Sequence, residues 1–231
     1  MINVDRIYQR VLTLANKEQR GYITPQEFNI FANQAQMDIF EQYFYDLNQF
    51  RRMPGNDTIH ADMVDMLEEK ISIFETTQSL QTTNGIGALN TLNRFYRLSF
   101  VRNGTVYFES VSKKDLRLFQ NSPLAAPTQT RPVYTVDGFN NTIRLFGDPP
   151  DTVNIDYIRS PRLVNWTYVV VGDKALYNRA ATDARDFDLH PSEETELVLK
   201  ILTLAGFTLK DPNLLQLAAG EDTKNIQQEK Q

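Results

Sequence analysis

Apolar side chains recur at helical spacing from the first residues to about residue 72, with polar side chains between them. Val4, Ile7 and Val11 fall on one side of a helix, and the same periodicity resumes after Pro25. Met53-Pro54 interrupts it, because proline cannot continue a helix. The pattern predicts three amphipathic helices, over residues 4–15, 25–52 and 61–72.

The middle of the chain changes to the alternating pattern of β-strands. Two alternating runs flank Arg102-Asn103-Gly104, and an Asn-Gly pair supplies the positive φ angles of a tight hairpin turn. One helical turn is expected over residues 112–119. The connections are too short for crossover helices, so we expect an antiparallel sheet. The predicted strands are residues 95–101, 105–111, 133–136, 142–146, 153–159 and 166–171.

Helical periodicity returns over residues 190–207, where Pro191 lies in the first turn and Gly206 is the expected C-terminal cap. A short helix is expected to start at Asp211-Pro212, and a polar tail without apolar periodicity follows from residue 220. The predicted fold class is α+β: a helical bundle from the N- and C-terminal helices, a central antiparallel β-rich insertion, and an extended polar C-terminal tail. The corresponding segments are residues 1–80, 81–175, 176–219 and 220–231.

Composition narrows the classes of function. The 231 residues include 24 basic and 29 acidic side chains, a net charge of -5, which does not call for nucleic acid or an anionic membrane as partner. The absence of cysteine excludes disulfides, thiolate zinc sites and cysteine nucleophiles. The N-terminus lacks a signal-peptide pattern and no window is apolar enough to span a bilayer, so we expect no membrane partner and no cleaved secretion signal.

Residues 16–28, NKEQRGYITPQEF, resemble the second half of a calcium-binding EF-hand loop. Arg20 falls at a ligand position, however, and it brings a positive charge instead of an oxygen ligand. The same residues suit a helix corner, in which glycine permits a sharp bend, isoleucine packs into the core, and threonine and glutamate form a capping box. We predict this corner, defined by Gly21, Ile23, Thr24 and Glu27, and no metal ligands.

Other catalytic patterns are weak. His60 and His190 lie apart from any metal-ligand spacing. Residues 84–87, NGIG, lack the lysine and third glycine of a phosphate-binding loop. Asp183, Asp186 and Asp188 suit a solvated acidic loop, and the arginines and aromatics of residues 94–102 suit an alternating strand more than a nucleic-acid surface. We predict no catalytic residue, no metal, no cofactor and no enzyme activity.

Three stretches carry a resemblance to a known family. They are RGYITPQEFNIFANQAQMDIFEQYF near the N-terminus, WTYVVVGDKALYN, and FDLHPSEETELVLKILTLAGFTLKDPNLLQLA with the QQEKQ end. Together they cover roughly a third of the chain and resemble head-to-tail connector proteins, the adaptor or neck-ring subunits of tailed bacteriophages.

The resemblance implies a virion structural protein, assembled in the host cytoplasm and located at the neck between head and tail. Its implied partners are further copies of itself in a ring, dodecameric in that family, a portal protein, and tail or nozzle proteins. DNA would pass through the ring without specific binding. By analogy, the C-terminal region would contact the portal or a neighbouring subunit through Asp211, Leu214, Leu215, Leu217, Lys224, Ile226, Gln227, Gln228 and Lys230.

Two alternatives stay open on the sequence. The chain is another virion part, such as a tail-tube, gatekeeper or head-completion protein, or it is an EF-hand-like calcium-binding protein. The first differs from an adaptor in location, not in chemistry. The second requires oxygen ligands that the first half of the loop does not supply.

Overall fold

The computed structural model describes residues 1–17, 23–52, 58–172 and 174–208. The chain divides into two compact units, one formed by Phe74–Ser160 and the other by Met1–Ile73 together with Pro161 onward. We call them the β unit and the helical unit. The helices are α1 (Val4–Lys17), α2 (Pro25–Arg52), α3 (Thr58–Ser72), α4 (Lys113–Asn121) and α5 (Glu194–Thr208).

Strands occur in both units. Eight of the described strands form one sheet in the β unit, and the last two form a hairpin in the helical unit. The strands are β1 (Glu75–Thr83), β2 (Ile86–Ala88), β3 (Phe95–Asn103), β4 (Val106–Tyr107), β5 (Glu109–Ser110), β6 (Val133–Asp137), β7 (Thr142–Phe146), β8 (Thr152–Arg159), β9 (Tyr168–Val171) and β10 (Lys174–Tyr177).

In the helical unit, the predicted apolar faces of α1 and α2 form much of the core. Val4, Ile7 and Val11 of α1 are fully buried, as are Phe28 and Ala32 of α2. α2 packs against α3 and α5, and α1 packs against α5. The periodicity therefore identified these helices, although α5 continues to Thr208, so the predicted cap at Gly206 lies inside the helix.

A non-helical segment completes this core. Trp166 is 1% exposed, its ring lies 4.1 Å from that of Tyr8, and its indole nitrogen donates a hydrogen bond to Asp5 Oδ1 at 2.9 Å. Phe187 and Leu189, further along the same segment, are fully buried. The helices of this unit therefore enclose irregular chain as well as each other.

The sheet of the β unit has the strand order β4-β3-β8-β1-β2-β7-β6-β5. Its two outer strands, β4 and β5, are separated only by Phe108, whose N–H donates to Val101 O at 2.9 Å. One continuous run therefore pairs with β3 on one side and with β6 on the other. The ends of the sheet meet, and the sheet is a nearly closed, barrel-like one.

Side chains that point into this sheet form a separate hydrophobic core. Val101, Ile143 and Ile155 are fully buried there, and the Tyr157 hydroxyl lies within hydrogen-bond distance of two acceptors, Gln78 Oε1 at 3.1 Å and Asn93 O at 3.0 Å. All strand pairs are antiparallel except β5 with β6, which is parallel. The expectation of a purely antiparallel sheet is therefore wrong at this pair.

The predicted helical bundle with a central β-rich insertion is also wrong, although the broad α+β class holds. The sheet is large and has its own core, and the strands that complete it include β1 and β2. These strands were missed because β1 is rich in threonine and glutamine, with its buried positions filled by Leu80 and Thr82. A strand of this composition lacks the hydrophobic alternation from which strands are predicted.

Candidate assembly surface

The predicted helix corner is described from Ile23 onward, while Gly21 lies outside the described residues. Ile23 is 2% exposed and Pro25 is the first residue of α2. Glu27 Oε2 accepts hydrogen bonds from the N–H of Thr24 at 3.0 Å and from its hydroxyl at 2.8 Å, and the N–H of Glu27 donates to Thr24 Oγ1 at 3.3 Å. Thr24 and Glu27 thus satisfy the free N–H groups at the helix start reciprocally.

This arrangement also sets the charge state of Glu27. The hydrogen bond from the Thr24 backbone, and then that from its hydroxyl, lower the pKa of the Glu27 carboxyl. The stability that these bonds contribute is present above the ordinary glutamate pKa and is lost as the pH falls. The carboxylate that would bind calcium is therefore engaged by the protein itself.

The residues expected to contact a portal or a neighbouring subunit lie outside the described residues. They are Asp211, Leu214, Leu215, Leu217, Lys224, Ile226, Gln227, Gln228 and Lys230.

The three aspartates that were expected in a solvated acidic loop all have partners within the protein, and one of them is buried. Asp188 is 1% exposed and holds Arg162 through several hydrogen bonds, one of 2.6 Å from Nη2. Asp186 accepts from the N–H of Val4 at 2.8 Å, at the start of α1, and Asp183 accepts from Asn165 Nδ2 at 3.0 Å. These three carboxylates therefore hold segments together that are distant in the sequence.

Within the described ranges, no group of three or more histidine, cysteine, aspartate or glutamate side chains is placed to hold a metal ion. His190 has a capping role, because its Nδ1 accepts from the N–H of Ser192 at 3.2 Å. None of the helices in this part of the chain is long and apolar enough to cross a bilayer.

Among the described residues of the helical unit, the most apolar exposed run is the hairpin of β9 and β10, which we call the valine hairpin. Val169, Val170 and Val171 are 46%, 66% and 58% exposed, and Leu176 is 49% exposed. The strands pair in register from Tyr168 with Tyr177 to Val171 with Lys174. Because side chains alternate across a strand, these apolar side chains lie on both faces.

The base of the valine hairpin is packed against the core, while its valine side chains are exposed to solvent. Tyr168 and Tyr177 each stack on the buried Trp166, with ring centroids 5.8 Å apart and 21° between planes. Thr167 and Asn178 close the base, since the Asn178 N–H donates to Thr167 O at 2.8 Å and Thr167 Oγ1 donates to Asn178 O at 2.6 Å. The hairpin therefore leaves the core at a defined position.

Both outer edges of the valine hairpin lack a strand partner among the described residues. Edge strands expose unpaired N–H and C=O groups, and an apolar edge favours pairing with another chain. The nearly closed sheet of the β unit, by contrast, joins its own edges. Sequence reasoning predicted one strand here and missed the second, although Gly172-Asp173 between two apolar runs is a two-residue hairpin signal.

No protein-family model matches the chain, and a comparison with curated proteins finds no match.

Proposed function

We propose that the protein is a structural subunit of a tailed-phage virion that assembles into an adaptor ring between portal and tail, around the DNA exit channel. The resemblance of the N- and C-terminal stretches to such connectors suggests the class. The valine hairpin is the observation that carries the proposal, because its described residues expose apolar side chains and two strand edges without a strand partner, and such edges favour pairing with another chain.

The hairpin offers two different edges, and a second copy is complementary to both. If β10 of one subunit pairs with β9 of the next, the strands continue as an antiparallel sheet and the contact is head to tail. Head-to-tail contacts produce a ring when the rotation between subunits closes. Charge does not oppose this pairing, since β9 has no charged side chain and β10 carries only Lys174.

The net negative charge of the chain is compatible with the passage of DNA through the ring. A channel wall that holds phosphates strongly needs clustered lysine and arginine, and such contacts weaken with salt in proportion to their number. The net charge of -5 favours weak contact with a sliding duplex. Arg102, one of the arginines in the strand considered above, is paired with Asp156 at 3.0 Å.

A ring is tested by measuring the mass of the purified full-length chain by native mass spectrometry, alone and with the portal protein of the same virus.

Val170→Lys places a charge in the pairing edge and should convert rings to monomers. Val136→Lys is the matched control, since Val136 is 41% exposed on β6, a strand paired on both sides. Rings that persist in Val170→Lys would remove the hairpin from the contact, and a chain that stays monomeric with the portal would contradict the adaptor.

The location of the protein separates an adaptor from a tail-tube, gatekeeper or head-completion protein. Electron microscopy of virions should show a ring of this chain directly beneath the portal. Deleting the residues after Gly220 should weaken portal binding while the far-ultraviolet circular dichroism stays unchanged. If the density for this chain lies at another layer of the particle, the adaptor proposal is wrong, and the protein is the virion part that occupies that layer.

A further inference from the structure

The helical unit has an open groove of about 620 Å³ between α1 and α5. Leu14, Val198 and Leu199 supply apolar surface to its lining, and Arg6 and Arg10 supply positive charge. Leu14 is 43% exposed, and Leu199 is partly exposed. The described residues therefore leave an apolar strip uncovered between these two helices.

The positive charge of the groove is only partly compensated. Arg6 Nε lies 3.0 Å from Glu194 Oε1, and Arg10 Nη1 donates a hydrogen bond to the same oxygen. The side chains of Arg6 and Arg10 are 65% and 48% exposed. Among the described residues, two guanidinium groups thus share one carboxylate, which leaves one positive charge in excess. Because Glu194 is the first residue of α5, this charge lies at the start of that helix.

The chain that follows α5 has a composition complementary to the groove. α5 ends at Thr208, and residues 209–231 follow outside the described residues. The short helix that the sequence predicts from residue 211 onward has one apolar face, formed by Leu214, Leu215, Leu217 and Ala218. Glu221 and Asp222 follow this predicted helix directly. An apolar face followed by two carboxylates matches an apolar strip next to two arginines.

The lengths of the segments allow a return along α5. Residues 209–211 connect α5 to the predicted helix, a length within the about two to five residues that join antiparallel helices. A helix over residues 212–220 is about 13 Å long at about 1.5 Å per residue, and α5 extends about the same distance from Leu199 to Thr208. Glu221 and Asp222 then lie beside the first half of α5, within reach of the long arginine side chains.

We propose that the groove between α1 and α5 binds residues 212–222 of the same chain. The predicted helix runs antiparallel to α5, its leucines cover Leu14 and Leu199, and the two carboxylates that follow accept hydrogen bonds from Arg6 and Arg10. The same chain is the favoured occupant, because the short link keeps the segment beside the groove at a high effective concentration. The inference does not depend on the adaptor role, and it leaves the residues after Asp222 for a portal or a neighbouring subunit.

Cysteine cross-linking tests which chain occupies the groove, since the protein has no cysteine of its own. Full-length Leu14→Cys/Leu217→Cys should form an intramolecular disulfide on mild oxidation, seen as a faster monomer band on a non-reducing gel. Ile30→Cys/Leu217→Cys is the control and should stay reduced, because Ile30 is 67% exposed on α2 and does not line the groove. Disulfide-linked multimers of the first variant would place the segment of another copy in the groove and overturn the same-chain assignment. An unlinked monomer would exclude the contact between residues 14 and 217.

Thiol labelling measures whether the groove is covered, whatever the register of the segment. In full-length Leu14→Cys, a maleimide should react slowly with the thiol. Adding Leu214→Asp should raise the labelling rate by about tenfold, as expected when the burial of one leucine is lost. Adding Gln216→Asp, on the opposite face of the predicted helix, is the matched control and should leave the rate unchanged. Equal rates in all three variants overturn the proposal.

Salt dependence tests the charged contact. In the Leu14→Cys background, Glu221→Lys together with Asp222→Lys should raise the labelling rate at low salt. The increase should shrink at high salt, because ions screen the interaction with Arg6 and Arg10. Glu229→Lys, beyond the docked segment, is the control and should label at the rate of Leu14→Cys alone. A double substitution without effect at low salt would show that the arginines do not hold these carboxylates.

Discussion

Polar side chains on α2 determine where the non-helical segment of the helical unit lies. The Asn33 amide accepts from the Val164 N–H at 2.7 Å and donates to the Val164 carbonyl at 3.0 Å. Asn29 holds Trp166 in the same way, at 2.8 Å and 3.2 Å. Each asparagine amide thus pairs with one backbone N–H and one backbone C=O group, as a neighbouring β-strand would. Sequence patterns place these residues on a helix but do not reveal what they bind.

The capping box at α2 leads to a prediction about calcium. Glu27→Ala removes the acceptor for the Thr24 N–H and hydroxyl, so we expect a loss of about 1 kcal/mol in the free energy of unfolding. Urea denaturation measures it. Glu41→Ala, at an exposed interior position of the same helix, should be nearly neutral. Millimolar calcium should not change the wild-type melting temperature, and a calcium-dependent rise would restore the EF-hand interpretation.

Burial raises the pKa of Glu196 to about 7, and this shift predicts a pH-dependent stability. Well below pH 4.5, the ordinary glutamate pKa, this carboxyl is protonated in both folded and unfolded chains. Between that pH and about 7 the unfolded chain ionises first, so the folded state loses stability as the pH rises.

Glu196→Gln cannot ionise and should therefore lack this loss. Because the Glu196 side chain is 30% exposed, solvent reduces the effect, and we expect the variant to gain about 1–2 kcal/mol relative to wild type between pH 4.5 and pH 8. Denaturation curves at a series of pH values measure the difference. A gain that is the same at both ends of the range would show that Glu196 does not titrate in this way.

At the scale of elements, turn residues mark the strands that the hydrophobic pattern does not predict. Asn84 and Gly85 have φ angles of 52° and 73°, and they join β1 to β2 as a hairpin. The same dipeptide signal at Asn103-Gly104 was used to predict the β3–β4 hairpin, and that hairpin is present. At residues 84–85 the signal was overlooked because the preceding run is rich in threonine and glutamine and the following strand has only three residues.

The two hairpin glycines give a matched pair of substitutions. A methyl group on Gly85 would lie 2.8 Å from Leu145 O and 2.9 Å from Pro149 Cγ, whereas one on Gly104 would meet nothing within 4 Å. Both have positive φ, which costs an alanine about 1 kcal/mol. We therefore expect Gly104→Ala to lose about 1 kcal/mol and Gly85→Ala about 2–4 kcal/mol in the free energy of unfolding. Equal losses would show that the backbone near Gly85 relaxes.

The elements that could be predicted are those whose signal is local. Helices α1, α2 and α5 follow from periodicity and capping, and β7 and β8 from alternation. The parallel pairing of β5 with β6 could not be predicted, since it depends on Phe108 carrying the chain from one end of the sheet to the other. A cavity of about 200 Å³ between α2, α3 and the start of α5 could not be predicted either, because its lining residues come from three separate segments.

At the scale of the whole molecule, the closure of the sheet makes the β unit self-contained. Its two ends are held together, since the Arg159 N–H donates to Phe74 O at 2.9 Å. The Ser160 N–H is held within the same unit, by Arg94 O at 2.8 Å. Its hydrophobic core is drawn entirely from residues between these ends. An inserted unit of this kind has the properties of an independent domain.

We therefore expect the fragment Phe74–Ser160 to fold when it is produced alone. Its far-ultraviolet circular dichroism should show β-structure, its amide NMR signals should be well dispersed, and urea should unfold it in one cooperative transition. Ile155→Asp in the fragment is the control, because Ile155 is fully buried and an unpaired charge there should abolish folding. A wild-type fragment that resembles its Ile155→Asp variant would mean that the sheet needs the helical unit to form, despite its closed hydrogen bonding and its separate core.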